Sequence, residues 1–320
     1  MESLAFLSFE MQMTEEYLHE KTFGPPKGLA SLAVQALVEE AELTPKPALV
    51  DGRGPGAQAD LSLSLMRRSA HCLAPFFELM ALTSLEQIPT QTLREDLGTI
   101  GRWAEHAMLA CTGQVNTHRG AIWSLGLLVS AAAMGAASPE AIVETARQLA
   151  CLPDANAPKQ QSQGLQLTPQ YKAPGARGEA QAGFPSVIAA GLPSLHLSRQ
   201  VDESETLARL NALLAIMRRL DDTCLLRRSG LAGLKTAQDG AASILEAGGV
   251  ATPEGWRLLQ QLDRDLLTLQ GSPGGSADML SATIFLDYVS RNEELKYKEN
   301  FTGPESAKSN SPRRRTVFVL

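Results

Sequence analysis

Alanine and leucine recur at three- and four-residue spacing along most of this chain, and no convincing run of alternating β-branched residues interrupts them. That period gathers apolar side chains on one face of a helix, whereas a strand needs a period of two. The spacing predicts helices over 28–43, 59–81, 91–111, 117–136, 138–150, 203–220, 231–247, 254–269 and 274–289. The fold class that follows is all-α: a single compact multi-helix orthogonal bundle with long active-site loops. A chain of 320 residues with 44% hydrophobic positions builds a core that needs no metal or disulfide staple. The helical catalytic domain is expected to fill residues 1–291. Residues 292–320 lose the apolar period and are expected to form a disordered tail.

Charge and cysteine usage narrow the class. A net charge of -6 argues against a general nucleic-acid-binding surface, while leaving room for a local basic pocket. Cys72, Cys111, Cys151 and Cys224 are widely separated, with no C-x-x-C pair, which reads as buried free thiols in a reducing cytoplasm. The opening MESLAFLSFEMQMTEEYLHEK carries acidic residues and lacks the basic start of a signal peptide. Residues 121–137 are the candidate membrane span, but the stretch is short and rich in Ala, Gly and Ser, so a buried central helix is expected.

Three interruptions stand between helices: TPKPALVDGRGPGAQAD (44–60), a long polar segment at 153–185, and GSPGGSAD (271–278). Long loops inside small domains are commonly functional or disordered. In the first, two prolines hold the backbone around Lys46 extended, with Asp51 at the following turn. A lysine on a stiff support suits a phosphate, although a plain surface lysine is the preferred reading of this stretch alone. In the second, GARGEA sets Arg177 beside Glu179, where an ordinary surface ion pair is also open. In the third, Gly274 and Gly275 free backbone N–H groups and Ser276 caps a helix on which Asp278 points inward.

The stretch QVNTHRGAIWSLGLL places His118 and Arg119 in the first turn of an apolar helix begun by Asn116 and Thr117. Cations there oppose the helix dipole, so an anion bound between them and the free N–H groups is one explanation. A satisfied core histidine beside a paired arginine is the other. In RRLDDTCLL, the stripe Leu207, Leu210, Leu214 and Met217 continues onto Asp221, which places a carboxylate where a core leucine belongs. Asp221 and Asp222 then share a divalent ion, or one caps the next helix while the other bonds Arg218 or Arg228.

Taken together and in order, TPKPALVD, VNTHRGAIWSLGLL, GARGEA, LDDTCLL and SPGGSAD resemble the triphosphoribosyl-dephospho-CoA synthase family over roughly residues 28–288. The wording of DGRGPGAQADLSLSLMRRSA and DDTCLL is most similar to the branch serving malonate decarboxylase, rather than citrate lyase. The resemblance implies that ATP and 3′-dephospho-CoA give 2′-(5″-triphosphoribosyl)-3′-dephospho-CoA and adenine. The product is the prosthetic-group precursor of an acyl-carrier subunit, which a separate transferase attaches. Under that reading, Lys46, His118, Arg119, Arg177 and Gly274–Ser276 hold phosphates, with Asp51 and Asn116 in the same nucleotide-binding set. Asp221 and Asp222 bind Mg²⁺ or take a proton, and Asp278 and Glu179 flank the sugar. The chain departs from the family pattern at Gln58, where histidine is expected, and at Arg227 and Ser229. Two other classes compete: a helical Mg²⁺-dependent hydrolase of N-glycosidic or ADP-ribosyl bonds, and a non-catalytic helical partner of the carrier protein.

Overall fold

The computed structural model describes residues 25–157, 171, 173–201 and 204–292, and within them every regular element is helical. Helix α1 spans Pro25–Glu42, α2 Leu63–Cys72, α3 Ala74–Ser84, α4 Gln91–Thr112, α5 Arg119–Ala133 and α6 Pro139–Cys151. After the polar segment come α7 (Gly175–Gln181), a π-turn at Val187–Gly191, α8 (Leu192–Gln200), α9 (Glu205–Met217), α10 (Thr223–Glu246), α11 (Pro253–Thr268) and α12 (Gly274–Arg291). Helix starts follow the capping residues. Ser62, Thr90, Ser138, Ser204 and Thr252 each accept a backbone N–H three residues on.

One contiguous apolar core runs through the bundle. At its centre lies α5, buried along nearly its whole length and packed against α1, α3, α4, α6, α7 and α12. A helix apolar all round must be enclosed, and this one is enclosed by protein. No helix among the described residues is long and apolar enough to cross a membrane.

Three details depart from the periodicity. The helix expected over 59–81 is two helices, because Pro75 lacks an N–H to continue the ladder and opens α3 instead. A short helix not expected from the spacing runs from Thr223 to a kink at Gly230 (φ 63°, ψ -160°), beyond which α10 continues as the helix expected from 231. Helices α7 and α8 and the π-turn carry no expectation from the spacing. All four cysteines are free, as expected, but Cys151 is exposed and the others are only partly buried. The expected tail, apart from Asn292, the N-terminal segment before Pro25, and residues 158–170 of the polar segment lie outside the described residues.

Candidate active site

Around the first turn of α5, side chains from four distant segments meet. Lys46 is 1% exposed; its ammonium donates to Glu40 Oε1 at 2.6 Å and to the Glu40 carbonyl at 2.5 Å. The loop that carries it makes turns rather than the expected extended run, with a cis Thr44–Pro45 peptide. Asp51 accepts the Lys46 N–H at 2.8 Å and pairs with Arg53, so it shapes the loop. Arg53 in turn donates to the Lys46 carbonyl at 2.7 Å and to Asp263 on α11 at 2.9 Å. Asp263 also accepts the Ala48 N–H at 2.7 Å. Where histidine was expected, Gln58 donates to Ser272 Oγ at 2.9 Å, joining this loop to the start of α12.

His118 caps the other side of this group. It is buried, with Nδ1 2.8 Å from Ser69 Oγ and the Ser69 hydroxyl 2.6 Å from Thr117 Oγ1. Its Nε2 is buried with no hydrogen-bond partner. Burial first and then the neighbouring Lys46 cation lower its pKa to about 3, so the imidazole is neutral. These surroundings favour the core-histidine reading over a second cation at this helix start. Arg119, partly exposed, lies 3.1 Å from Glu105 of α4, an acid that the local sequence does not supply. Asn116 is exposed and its Oδ1 accepts the Arg119 N–H at 3.2 Å, a helix-start role.

Asp278 faces the same turn from α12. It accepts the Ala121 N–H, and it fits only because residue 120 is glycine, where a Cβ would lie 2.0 Å from Asp278 Oδ2. Burial, then the Glu40 and Asp222 carboxylates, push its carboxyl well above the usual range, against the one Ala121 N–H. Asp278 thus points inward, as its helical register predicts.

Asp222 and Asp221 reverse their expected places. Asp222 is 1% exposed, whereas Asp221 is exposed. Helix α9 ends at Met217, so its stripe does not continue onto Asp221, and the chain turns before α10 starts. Asp222 caps α10 by accepting from Cys224 and Leu225, and also takes the N–H groups of Gly275 and Ser276 and the Ser276 hydroxyl. The Gly274–Ser276 turn, expected to cradle phosphate, thus spends these donors on an internal carboxylate. Asp221 receives Gln238 Nε2 at 3.3 Å instead. The two acids do not converge on one ion, and the described residues hold no group of three or more His, Cys, Asp or Glu side chains suited to a metal.

Asp221 opens onto a cavity of about 160 Å³ together with Glu179, Ser186 and Arg219. Glu179 is buried and accepts the Ser186 N–H at 2.7 Å; burial raises its pKa, partly offset by that bond and by Arg219. The alternative of an Arg177–Glu179 ion pair is not among the ion pairs of the described residues. Arg177 instead adds its charge to Arg94, which lies over the Trp123 ring at 4.9 Å and beside Asp154. The departure at Ser229 is absorbed by its bond to the Leu225 carbonyl, and Arg227 is exposed.

Sequence reasoning missed Glu40, Ser69 and Arg53. Glu40 had a readable signal, since it continues the buried stripe Ala33, Ala36 and Leu37 of α1. Ser69 and Arg53 had none, because each acts on a residue that is remote or reached around a turn.

The chain is an all-helical bundle in which a paired lysine, an imidazole and two acids from distant segments gather at one helix start, and by its family it is a transferase. The chain belongs to the ATP:dephospho-CoA triphosphoribosyl transferase family, whose model matches residues 26–297. It is 52% identical over 281 residues to the probable 2-(5″-triphosphoribosyl)-3′-dephosphocoenzyme-A synthase of Pseudomonas fluorescens (strain Pf0-1), covering 86% of this chain and 96% of the relative. The synthase of Klebsiella pneumoniae is 51% identical over 263 residues, covering 82% of this chain and 94% of the relative. A probable synthase of Azotobacter vinelandii is 53% identical over 263 residues, or 81% and 90% of the two chains. No solved structure matches the chain.

Proposed function

We propose that the protein condenses ATP with 3′-dephospho-CoA to 2′-(5″-triphosphoribosyl)-3′-dephospho-CoA, releasing adenine. The observation that carries this reading is the meeting of buried Lys46, His118 and Asp222 with half-buried Asp278 in one polar group at the start of α5. These residues match the motifs on which the family resemblance stands. On this reading Lys46, released from Glu40, supplies positive charge for the triphosphate, and the acids flank the sugar carbon that gains positive character. Arg177, exposed on α7, offers a second positive charge for the diphosphate of the acceptor. Magnesium belongs to this reading as the counter-ion of the ATP triphosphate; Asp222, with both oxygens committed to protein donors, does not fit as its ligand.

The product serves the acyl-carrier subunit of malonate decarboxylase, a reading supported by the wording of residues 51–70 and 221–226. Incubating the protein with ATP, with and without dephospho-CoA, and weighing the products tests the reaction. Adenine and a triphosphoribosylated dephospho-CoA should form only when both substrates are present. Adenine with free ribose triphosphate, formed from ATP alone, would instead establish a hydrolase. Offering the product and an attaching transferase to malonate decarboxylase and citrate lyase carriers checks the branch: the malonate carrier should be modified in preference.

A further inference from the structure

Helix α7 and the turn joining α9 to α10 line a cavity of about 160 Å³. It adjoins the polar group described above. Asp221 lines it, and the next residue, Asp222, holds the N–H groups of Gly275 and Ser276 on α12. Asp278 stands two residues beyond Ser276 on that helix. On the other side, a Cβ at Gly175 of α7 would lie 3.4 Å from Thr223 Cγ2 at the start of α10.

The lining divides into two chemistries. Pro174, Pro185 and Leu220 are apolar, and proline rings hold their shape with little left to order when a ligand arrives. The polar part is two carboxylates and a guanidinium: buried Glu179, exposed Asp221 and exposed Arg219. Glu179 Oε1 accepts the Ser186 N–H at 2.7 Å, and Asp221 Oδ1 accepts from Gln238 at 3.3 Å. A carboxylate accepts several hydrogen bonds, so one bond each leaves accepting capacity at the cavity. Two acids against one arginine disfavour a phosphate. The described residues also hold no group of three or more His, Cys, Asp or Glu side chains suited to a metal. A space of about 150 Å³ holds a benzene-sized ring, whereas pockets for drug-sized molecules start at roughly 300 Å³. The occupant that fits is a single flat ring system with an amine on its edge.

This inference rests on the proposed reaction, in which both substrates carry adenine. We infer that the cavity receives an adenine ring, its faces against the prolines and Leu220, its exocyclic amine donating to Glu179 and Asp221, and a ring nitrogen accepting from Arg219. Adenine offers that amine beside ring-nitrogen acceptors, whereas a 6-oxo purine offers an oxygen in the amine's place. An oxygen there faces two carboxylates, so the cavity selects against hypoxanthine by repulsion as well as by a lost bond. The base of ATP hangs on the anomeric carbon that reacts, and the base of dephospho-CoA sits one carbon from the attacking hydroxyl. Either base therefore falls beside the reacting atoms, and the chemistry that recognises it is the same.

Calorimetry on the full chain tests this with two ligand pairs: ATP against inosine triphosphate, and 3′-dephospho-CoA against its hypoxanthine counterpart. Binding is read rather than turnover, because changing the leaving base alters the rate by itself. In the pair whose base enters the cavity, wild type should bind the adenine member roughly 10- to 100-fold tighter. Glu179→Gln and Asp221→Asn, whose amides can donate to a 6-oxygen, should each bring that ratio toward unity. A ratio that shifts for ATP assigns the cavity to the donor's base, and one that shifts for dephospho-CoA assigns it to the acceptor's. Wild type that binds both members of each pair alike would overturn the inference. So would variants that leave both ratios unchanged, or that weaken both members of a pair equally. Asp221 is exposed, so Asp221→Asn decides the matter even if Glu179→Gln does not fold. Unchanged ratios with adenine release intact remove this inference alone, whereas a protein that binds neither substrate and releases no adenine removes the proposed reaction with it.

Discussion

Asp222 accepts from two helix starts at once, so one carboxylate sets the angle at which α10 meets α12. Replacing it by alanine removes a cap and strands the N–H groups of Gly275 and Ser276. Asp222→Ala should therefore lose about 3 kcal/mol of unfolding free energy or more, while Asp222→Asn keeps most of the capping. Urea denaturation of the three proteins checks the ranking. Gly120 is as demanding, since no methyl group fits between it and Asp278. Gly120→Ala should displace Asp278 and lower kcat far more than it lowers the denaturation midpoint. At this scale the sequence was legible wherever a helix kept its register, as it does for Asp278. It misled at Asp221, because the stripe was extended past a helix end that no proline or glycine marks.

Among the elements, α10 is the one whose shape is least visible in the residues. The helix expected from 231 is present, but a further short helix from Thr223 leads into it across Gly230, whose backbone conformation favours glycine. No atom lies within 4 Å of where a Gly230 side chain would begin, so the cost of a substitution there is purely conformational. Gly230→Ala should cost about 1–3 kcal/mol, measured as a shift in denaturant midpoint without change in its slope. Helices α7 and α8 escaped notice for another reason. They are short, and prolines at 174, 185 and 193 look like breakers although Pro193 merely opens α8. The long helices α4, α5, α6, α11 and α12, with ample turns to display a period, matched expectation to within a few residues.

For the molecule as a whole, the buried acids lower stability as pH rises. Asp278 keeps its proton in the folded state above the pH at which the unfolded chain releases it. Its contribution is therefore fully present below the ordinary aspartate pKa of about 3.9 and is lost as pH climbs toward the raised folded value. Asp278→Asn should be the more stable protein near neutrality, with the difference shrinking in acid; melts at two pH values decide this. The Lys46–Glu40 pair behaves similarly as a unit. Removing either partner alone should destabilise by about 3–5 kcal/mol, whereas replacing both by apolar residues should restore much of that loss without restoring activity.

The clasp of Arg53 on Asp263 ties residue 46 to a helix more than two hundred positions further along. A nascent chain emerging in order from its amino end has the local partners Glu40, Asp51 and Arg53 of the lysine early, but nothing to anchor their loop to the bundle through Asp263 until α11 is complete. Fragments cut before that helix should be catalytically silent however well their own helices form. Mixing such a fragment with the missing piece should bring back turnover only when the clasp reforms, and Arg53→Ala should make that reunion fail.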